Sequence, residues 1–190
     1  TPSPERIMIV RSAMLHGKTN DEIYNISNID PWFLSKLRNI IKAENGLHSI
    51  KSIGDISSEY MFDLKQLGFS DRQIAEIIGT TEIKIRELRI QLNIKPVYKT
   101  VDTCAAEFAS STPYHYSTYE RPIKKINKNN SIQIIHQSNE IGQQFSKKVL
   151  ILGGGPNRIG QGIEFDYCCC HSSYQFQKEG FRTIMMNSNP

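Results

Sequence analysis

Over residues 1 to about 95, apolar positions recur at helical spacing in short bursts, each opened by a capping residue and closed near a glycine. Ser3 with Pro4 opens the first burst and Gly17 ends it. Thr19 followed by Glu22 predicts a capping box for a second helix, and Ser70 followed by Gln73 predicts another. Asp30 with Pro31 predicts the start of a longer helix, with Ile29 and Leu34 at the two positions of a hydrophobic staple. Its apolar set is Phe33, Leu34, Leu37, Ile40 and Ile41, while Lys36, Arg38, Asn39 and Lys42 fall largely between them, so one face should be buried. Gly46, Gly54, Gly68 and Gly79 punctuate the chain from there to residue 80. Helices this short gain little from propensity alone, and the expectation is a compact all-helical cluster held by mutual packing.

From Lys95 the period is lost. The stretch to Glu120 is rich in aromatics and reads as extended chain with one short helix. Residues 121–147 are polar, rich in Lys, Asn, Gln and Ser, and read as a flexible linker. At Val149–Leu152 an apolar run meets Gly153, Gly154, Gly155 and Pro156. A helical segment from about Ile163 to Glu179 and a strand from Arg182 to Asn187 come next. This is a strand, helix, strand unit, the opening of an α/β sheet. The predicted fold is therefore mainly α: a helical domain over 1–120, a polar linker over 121–147, and an incomplete α/β piece over 148–190. The first residue is not Met and the chain stops at Pro190 just after a strand, so it reads as an excised piece.

Composition narrows the function classes. Lys+Arg 23 against Asp+Glu 19 leaves a net charge of +4 with no basic block, which gives little support to a nucleic-acid or membrane binder. No run approaches the roughly 18 apolar residues of a membrane span. Four cysteines, three of them contiguous at Cys168, Cys169 and Cys170, are no disulfide framework and point to a reducing compartment: the cytoplasm, with the mitochondrion as an alternative.

Three constellations carry candidate chemistry. Around Ala75, Gly79 and Ile85 the spacing matches a helix-turn-helix. Five basic residues (Arg72, Lys84, Arg86, Arg89, Lys95) stand against four acidic ones (Asp71, Glu76, Glu82, Glu87), which is weak attraction for phosphate. A structural helix pair is the favoured reading, with a DNA-binding module as the alternative. The glycine loop of Gly153, Gly154 and Gly155, with Asn157, Arg158, Gln161, Gly162 and Glu164, is suited to hold something small and anionic, or is simply a tight turn. A dinucleotide-binding domain is a weaker alternative. The third glycine of its fingerprint would fall at Arg158, and the second strand ends in Asn187 where a ribose-binding acid belongs. Cys168 and His171 share a helical face, yet without a C-x-x-C pair they read as core residues beside Tyr167 and Tyr174, and Cys104 as a buried small side chain.

Two runs go beyond pattern. Val97 to Tyr119, VYKTVDTCAAEFASSTPYHYSTY, and Gly153 to Cys169, GGGPNRIGQGIEFDYCC, closely resemble the carbamoyl-phosphate synthase large-subunit family; residues 25–34, NISNIDPWFL, extend the likeness. It departs at the long, Asn-rich stretch 121–147 and at Cys170, where an aliphatic residue is common. The resemblance implies the oligomerisation domain followed by the start of the second synthetase half. It also implies a parent ligase that makes carbamoyl phosphate from bicarbonate, glutamine-derived ammonia and two ATP. Neighbouring domains of the same polypeptide, a glutaminase subunit or domain and a second copy become expected partners. ATP and Mg2+, with K+ as a further candidate, would be cofactors of the parent and none of this piece. The loop residues Gly153 to Glu164 named above would wall an internal carbamate passage, no residue here would be catalytic, and the fragment would be inactive. Whether the parent serves pyrimidine or arginine synthesis stays open.

Overall fold

The computed structural model of the chain describes residues 3–109, 112–127, 129–141, 147–153 and 167–186. They fall into two compact units, Thr1–Ile141 and Gly142–Pro190. Seven α-helices and three two-stranded sheets occur among them, so the fold is mainly α with a partial α/β region.

The first unit opens with α1 (Arg6–Leu15), α2 (Asn20–Ser27) and α3 (Pro31–His48). The Thr19 box forms as predicted: its hydroxyl accepts from the Glu22 amide at 3.2 Å, and the Glu22 carboxylate accepts from the Thr19 amide at 2.8 Å. Asp30 caps α3 by accepting from the Trp32 amide, with Pro31 at the first helical position. Helix α1 starts later than Ser3 and Pro4 suggest. Glu5 occupies the cap position without a side-chain bond, and the Ser3 carbonyl accepts from the Arg6 amide in a preceding turn.

Val10, Met14, Ile23, Leu34 and Ile41 form the core of these three helices, with Ile29 and Leu37 packed against it. The predicted buried face is narrower than expected, because Phe33 is 58% exposed and Ile40 38% exposed. Both α1 and α2 cover α3 from the Leu34 and Ile41 side, and Phe33 instead meets Trp32 edge to face at 4.9 Å.

Gly46 does not end a helix; it lies inside α3. A Cβ there would sit 2.6 Å from the Tyr60 hydroxyl, which donates to the Ala43 carbonyl at 2.9 Å. The missing side chain is the space through which Tyr60 pins α3 to the next helix.

After a 3₁₀ turn at Ile53–Asp55 come α4 (Ser58–Gln66), α5 (Asp71–Ile78) and α6 (Glu82–Gln91). A second, larger core joins Leu47, Ile56, Met61, Leu64, Phe69, Ile74, Ala75, Ile85 and Ile94. Ser70 and Gln73 make the predicted capping box, and Gly79, at φ +77°, closes α5 in the left-handed region.

Strands β1 (Val97–Thr100) and β2 (His115–Thr118) pair antiparallel, Val97 opposite Thr118. Among the described residues between them there is no helix, contrary to the expected short one. Ala105 and Ala106 have φ of 50° and 61°, and the Asp102 carboxylate accepts from the Cys104 and Ala106 amides, holding a turn that helical geometry forbids.

Within 121–147, β3 (Ile123–Ile126) and β4 (Ile132–Ile135) form an antiparallel hairpin. Composition alone suggested a polar linker there, but Ile123 and Ile126 on one side and Ile132, Ile134 and Ile135 on the other flank an Asn-rich turn and pair as strands. The chain then returns to β1. Glu140 donates its amide to the Tyr98 carbonyl, Asn139 accepts from the Tyr98 amide, and the Glu140 carboxylate takes the Thr100 amide and the Lys99 ammonium.

In the second unit β5 (Lys148–Leu152) and β6 (Arg182–Met186) pair parallel, Lys148 opposite Arg182, with α7 (Tyr167–Lys178) on one face. Ser173 on α7 meets the Thr183 hydroxyl at 2.7 Å, and Gln177 donates to both.

Candidate functional site

Gly153 extends the parallel ladder by one bond, donating its amide to the Met186 carbonyl at 2.9 Å, and so stands at the carboxyl end of β5. Carboxyl ends of parallel strands are where open α/β sheets place ligands. The other predicted loop residues, Gly154, Gly155, Asn157, Arg158, Gln161, Gly162 and Glu164, lie outside the described residues, as does Asn187. Cys168 and His171 are exposed rather than core residues, and Cys104 is half-buried. The His171 ring lies tilted against that of Tyr167, centroids 4.1 Å apart, and the residue of α7 that is buried is Ser173. The reason is orientation: α7 turns Ser173 toward β6, so the Cys168 and His171 face points away.

The helix pair α5–α6 packs through Ile74, Ala75 and Ile85, all buried. Its basic residues are mostly engaged. Arg72 binds Glu76 at 2.8 Å, Arg86 binds Glu82 at 2.8 Å, and Arg89 is turned inward. The two exposed pairs add little stability, but they neutralise charge that phosphate recognition would need free.

Arg89 leads to the one buried cluster of charge among the described residues, which sequence reasoning missed. The Asp71 carboxylate accepts from Lys65 at 2.8 Å and from Arg89 at 3.0 Å. Lys65 also donates to the Phe69 carbonyl at 2.7 Å and Arg89 to the Ile94 carbonyl at 3.0 Å. Three helix ends meet here. Lys65 lies in the last turn of α4, Asp71 in the first turn of α5, and Arg89 in the last turn of α6, so every charge opposes its own helix dipole. Burial pushes the Asp71 carboxyl up, but hydrogen bonds from Arg89 and Lys65 outweigh it and hold the group below the usual carboxylate range. The available signal was acid in a first turn and base in a last turn; the pairing of residues 6 and 18 positions from Asp71 has no local pattern.

Tyr119, following β2, covers this junction. The Lys65 ammonium lies 5.6 Å from its ring centroid, and its carbonyl accepts from Gln66. Arg121 sits over the Phe62 ring at 4.9 Å and pairs with Asp63 and Glu59 of α4. With both cations also bonded to carbonyls, the cluster is closed and offers no free acid or base for catalysis. Its chemistry is positional: it locks three helix ends and the outgoing chain together.

Elsewhere in the first unit an open groove of about 360 Å3 is lined by Ile40, Phe69, Ile77, Arg11, Glu44 and Glu76. Arg11 is bonded to both Glu44 oxygens at 2.7 Å and Glu76 to Arg72 at 2.8 Å, so the charges at the groove pair with one another. Among the described residues no group of three His, Cys, Asp or Glu is placed to hold a metal ion, and no helix is long and apolar enough to cross a membrane.

Residues 1–93 match the family model of the carbamoyl-phosphate synthetase large chain oligomerisation domain, and residues 145–190 match that of the carbamoyl phosphate synthase preATP-grasp domain. The whole chain is 49% identical to a carbamoyl phosphate synthase large chain of Rhodopirellula baltica and 48% identical to one of Nostoc, covering 16% of each relative. It is 48% identical to a carbamoyl phosphate synthase arginine-specific large chain, chloroplastic, of Arabidopsis thaliana, covering 14% of that protein. The chain thus spans about a sixth of the length of these relatives. The helical unit, the strand, helix, strand unit behind it and an identity that runs through both make this chain a member of the carbamoyl phosphate synthase large-chain family, carrying its oligomerisation domain.

Proposed function

We propose that this chain joins and orients the two synthetase halves of a glutamine-dependent carbamoyl phosphate synthase, with residues 1–120 as the helical domain and 148–190 opening the second half. The observation that carries the reading is order: an oligomerisation-domain match precedes a preATP-grasp match in one unbroken chain. The parent enzyme would convert bicarbonate, glutamine-derived ammonia and two ATP to carbamoyl phosphate in the cytoplasm or a mitochondrion. ATP, Mg2+ and K+ would be held by parts of the parent beyond these residues, so the isolated chain would be catalytically silent.

Carbamate and carboxyphosphate decompose in water, so two halves working in sequence need a dry route at fixed separation. The Tyr119 and Arg121 clamp on α4 suits that demand, because it sets the direction in which the chain leaves the helical cluster. The sheet face of Leu150, Leu152, Ile184 and Met186 is exposed opposite α7, as expected of the first strands of a larger doubly covered sheet. Gly153, Gly154, Gly155, Asn157, Arg158, Gln161, Gly162 and Glu164 would wall the carbamate passage. The exposed apolar residues of α1 to α3, among them Met8, Ile9, Ile26 and Trp32, would meet neighbouring domains, the glutaminase or a second copy.

In the full-length enzyme, Gly162→Leu should lower carbamoyl phosphate formed per ATP hydrolysed. An unchanged ratio overturns the passage role. Bicarbonate-dependent ATP hydrolysis by the isolated 190 residues would overturn the assignment of catalysis to other parts.

A further inference from the structure

Strand β1 has two edges, and a strand covers one of them. Val101 continues the β2 ladder by donating its amide to the Tyr114 carbonyl, so the odd-numbered residues of β1 face β2 while Tyr98 and Thr100 face the other edge. There the Tyr98 amide donates to the Asn139 side chain at 3.0 Å, and the Tyr98 carbonyl accepts from the Glu140 amide at 2.8 Å. The Thr100 amide donates to the Glu140 carboxylate at 2.8 Å. Lys99, whose side chain is 13% exposed, reaches Gln137 at 2.9 Å and Glu140 at 3.1 Å. A short polar segment thus takes the place of a third strand. The chain between is a closed excursion: Thr118 meets Val97 across one edge of β1 and Glu140 meets Tyr98 across the other, about two strand spacings or roughly 10 Å apart. All eight residues of β3 and β4 are exposed, so the hairpin adds no buried packing of its own.

We propose that Gln137, Asn139 and Glu140 are positioning residues, whose grip on β1 fixes where the chain leaves the first unit for the second. Chain length carries the point. Residues 141–147 alone separate Glu140 from Lys148, a reach of at most about 28 Å, whereas the stretch from Arg121 to Lys148 could extend about 95 Å. Releasing the grip therefore lengthens the tether roughly threefold without touching either core of the helical cluster. A longer tether lowers the effective concentration of one unit at the other and loosens any geometry they share. The hairpin is dispensable for this purpose, because it leaves and rejoins the same strand. The inference deepens the reading of this chain as the joint between two synthetase halves and rests on it.

In the full-length enzyme, Asn139→Ala with Glu140→Ala should speed exchange of the Tyr98 and Thr100 amides about tenfold or more, with the Met61, Ile74 and Ile85 core still protected. Carbamoyl phosphate formed per ATP hydrolysed should fall about threefold or more, while bicarbonate-dependent ATP hydrolysis stays within about twofold. Asn139→Ala with Glu140→Gln, which keeps an acceptor for the Thr100 amide, should restore most of the ratio. Replacing residues 123–135 by about four glycine and serine residues should change neither the ratio nor the two amides. Faster amide exchange with an intact ratio overturns the proposal. So does unchanged exchange in the double variant, or a ratio lost with the hairpin while both amides stay protected. Inserting about ten glycine and serine residues after Ile141 keeps the grip but lengthens the tether, and it should lower the ratio too. If that insertion leaves the ratio intact, the reading of this chain as a joint falls together with the proposal. A ratio lowered by the insertion but not by the double variant overturns the grip alone.

Discussion

The helical unit and the strand, helix, strand unit solve the same problem with unequal means. The first buries two apolar clusters, closes its short helices with side-chain caps and ties three helix ends through Asp71. The second has Ser173 as its buried residue among those described, held by a hydroxyl contact to Thr183 and by Gln177. Short helices become stable when each is surrounded by others, which 90 residues can arrange locally. A parallel strand pair gains its stability from neighbouring strands and from cover on both faces. The difference shows that autonomy depends on how far a fold must reach for its partners.

The sharpest way to break this comparison is to delete equivalent apolar bulk in both units. Leu64→Ala should cost about 3–4 kcal/mol, because the side chain is fully buried among rigid neighbours. Ile151→Ala, half-solvated on β5, should cost about 1 kcal/mol. Urea unfolding followed by circular dichroism reads both, and equal losses would erase the distinction.

Asp71→Ala should cost about 3 kcal/mol by leaving Lys65 and Arg89 buried without their anion. The wild-type carboxyl is held below its ordinary value of about 3.9. Its contribution is therefore complete above about pH 4 and is lost as pH falls through the lower folded value. Glu22, held at about 2 by Lys18 and the Thr19 amide, also loses its charge in acid, so the difference between wild type and Asp71→Asn isolates the triad. Acid titration of unfolding midpoints should give a shallower slope for the variant.

Ser70→Ala should cost about 1 kcal/mol by removing the α5 cap, readable as a lower urea midpoint. The smallest effect is expected at Gly46→Ala. Its helix-propensity gain of about 1 kcal/mol should be cancelled by displacing the Tyr60 hydroxyl from the Ala43 carbonyl. In a Tyr60→Phe background the same substitution should become stabilising, and a double-mutant cycle measures the change.

Much of the helical unit was legible because its signals are local. Thr19 with Glu22 and Ser70 with Gln73 cap the helices they predict, since the bonded groups are three residues apart. Gly46 reads as a stop in the sequence, but its reason for being glycine is Tyr60, 14 positions later and on another helix. The hairpin in 121–147 was hidden by composition: five isoleucines without a core look like a linker until their register is known. Of the candidate loop, Gly153 is placed at the end of β5, and the remainder of its residues fall beyond those described.

Capping, helical period, the parallel unit's strand and helix order and the family likeness were determined by the sequence alone, because each depends on neighbours in the chain or on residue identity in order. Tertiary structure decided which face of α3 is covered, why Gly46 has no side chain, and how Lys65, Asp71, Arg89 and Tyr119 meet. Those are properties of approach between distant segments. Burial strengthens electrostatic and packing forces only after the chain has closed around them, and no spacing along it records that closure.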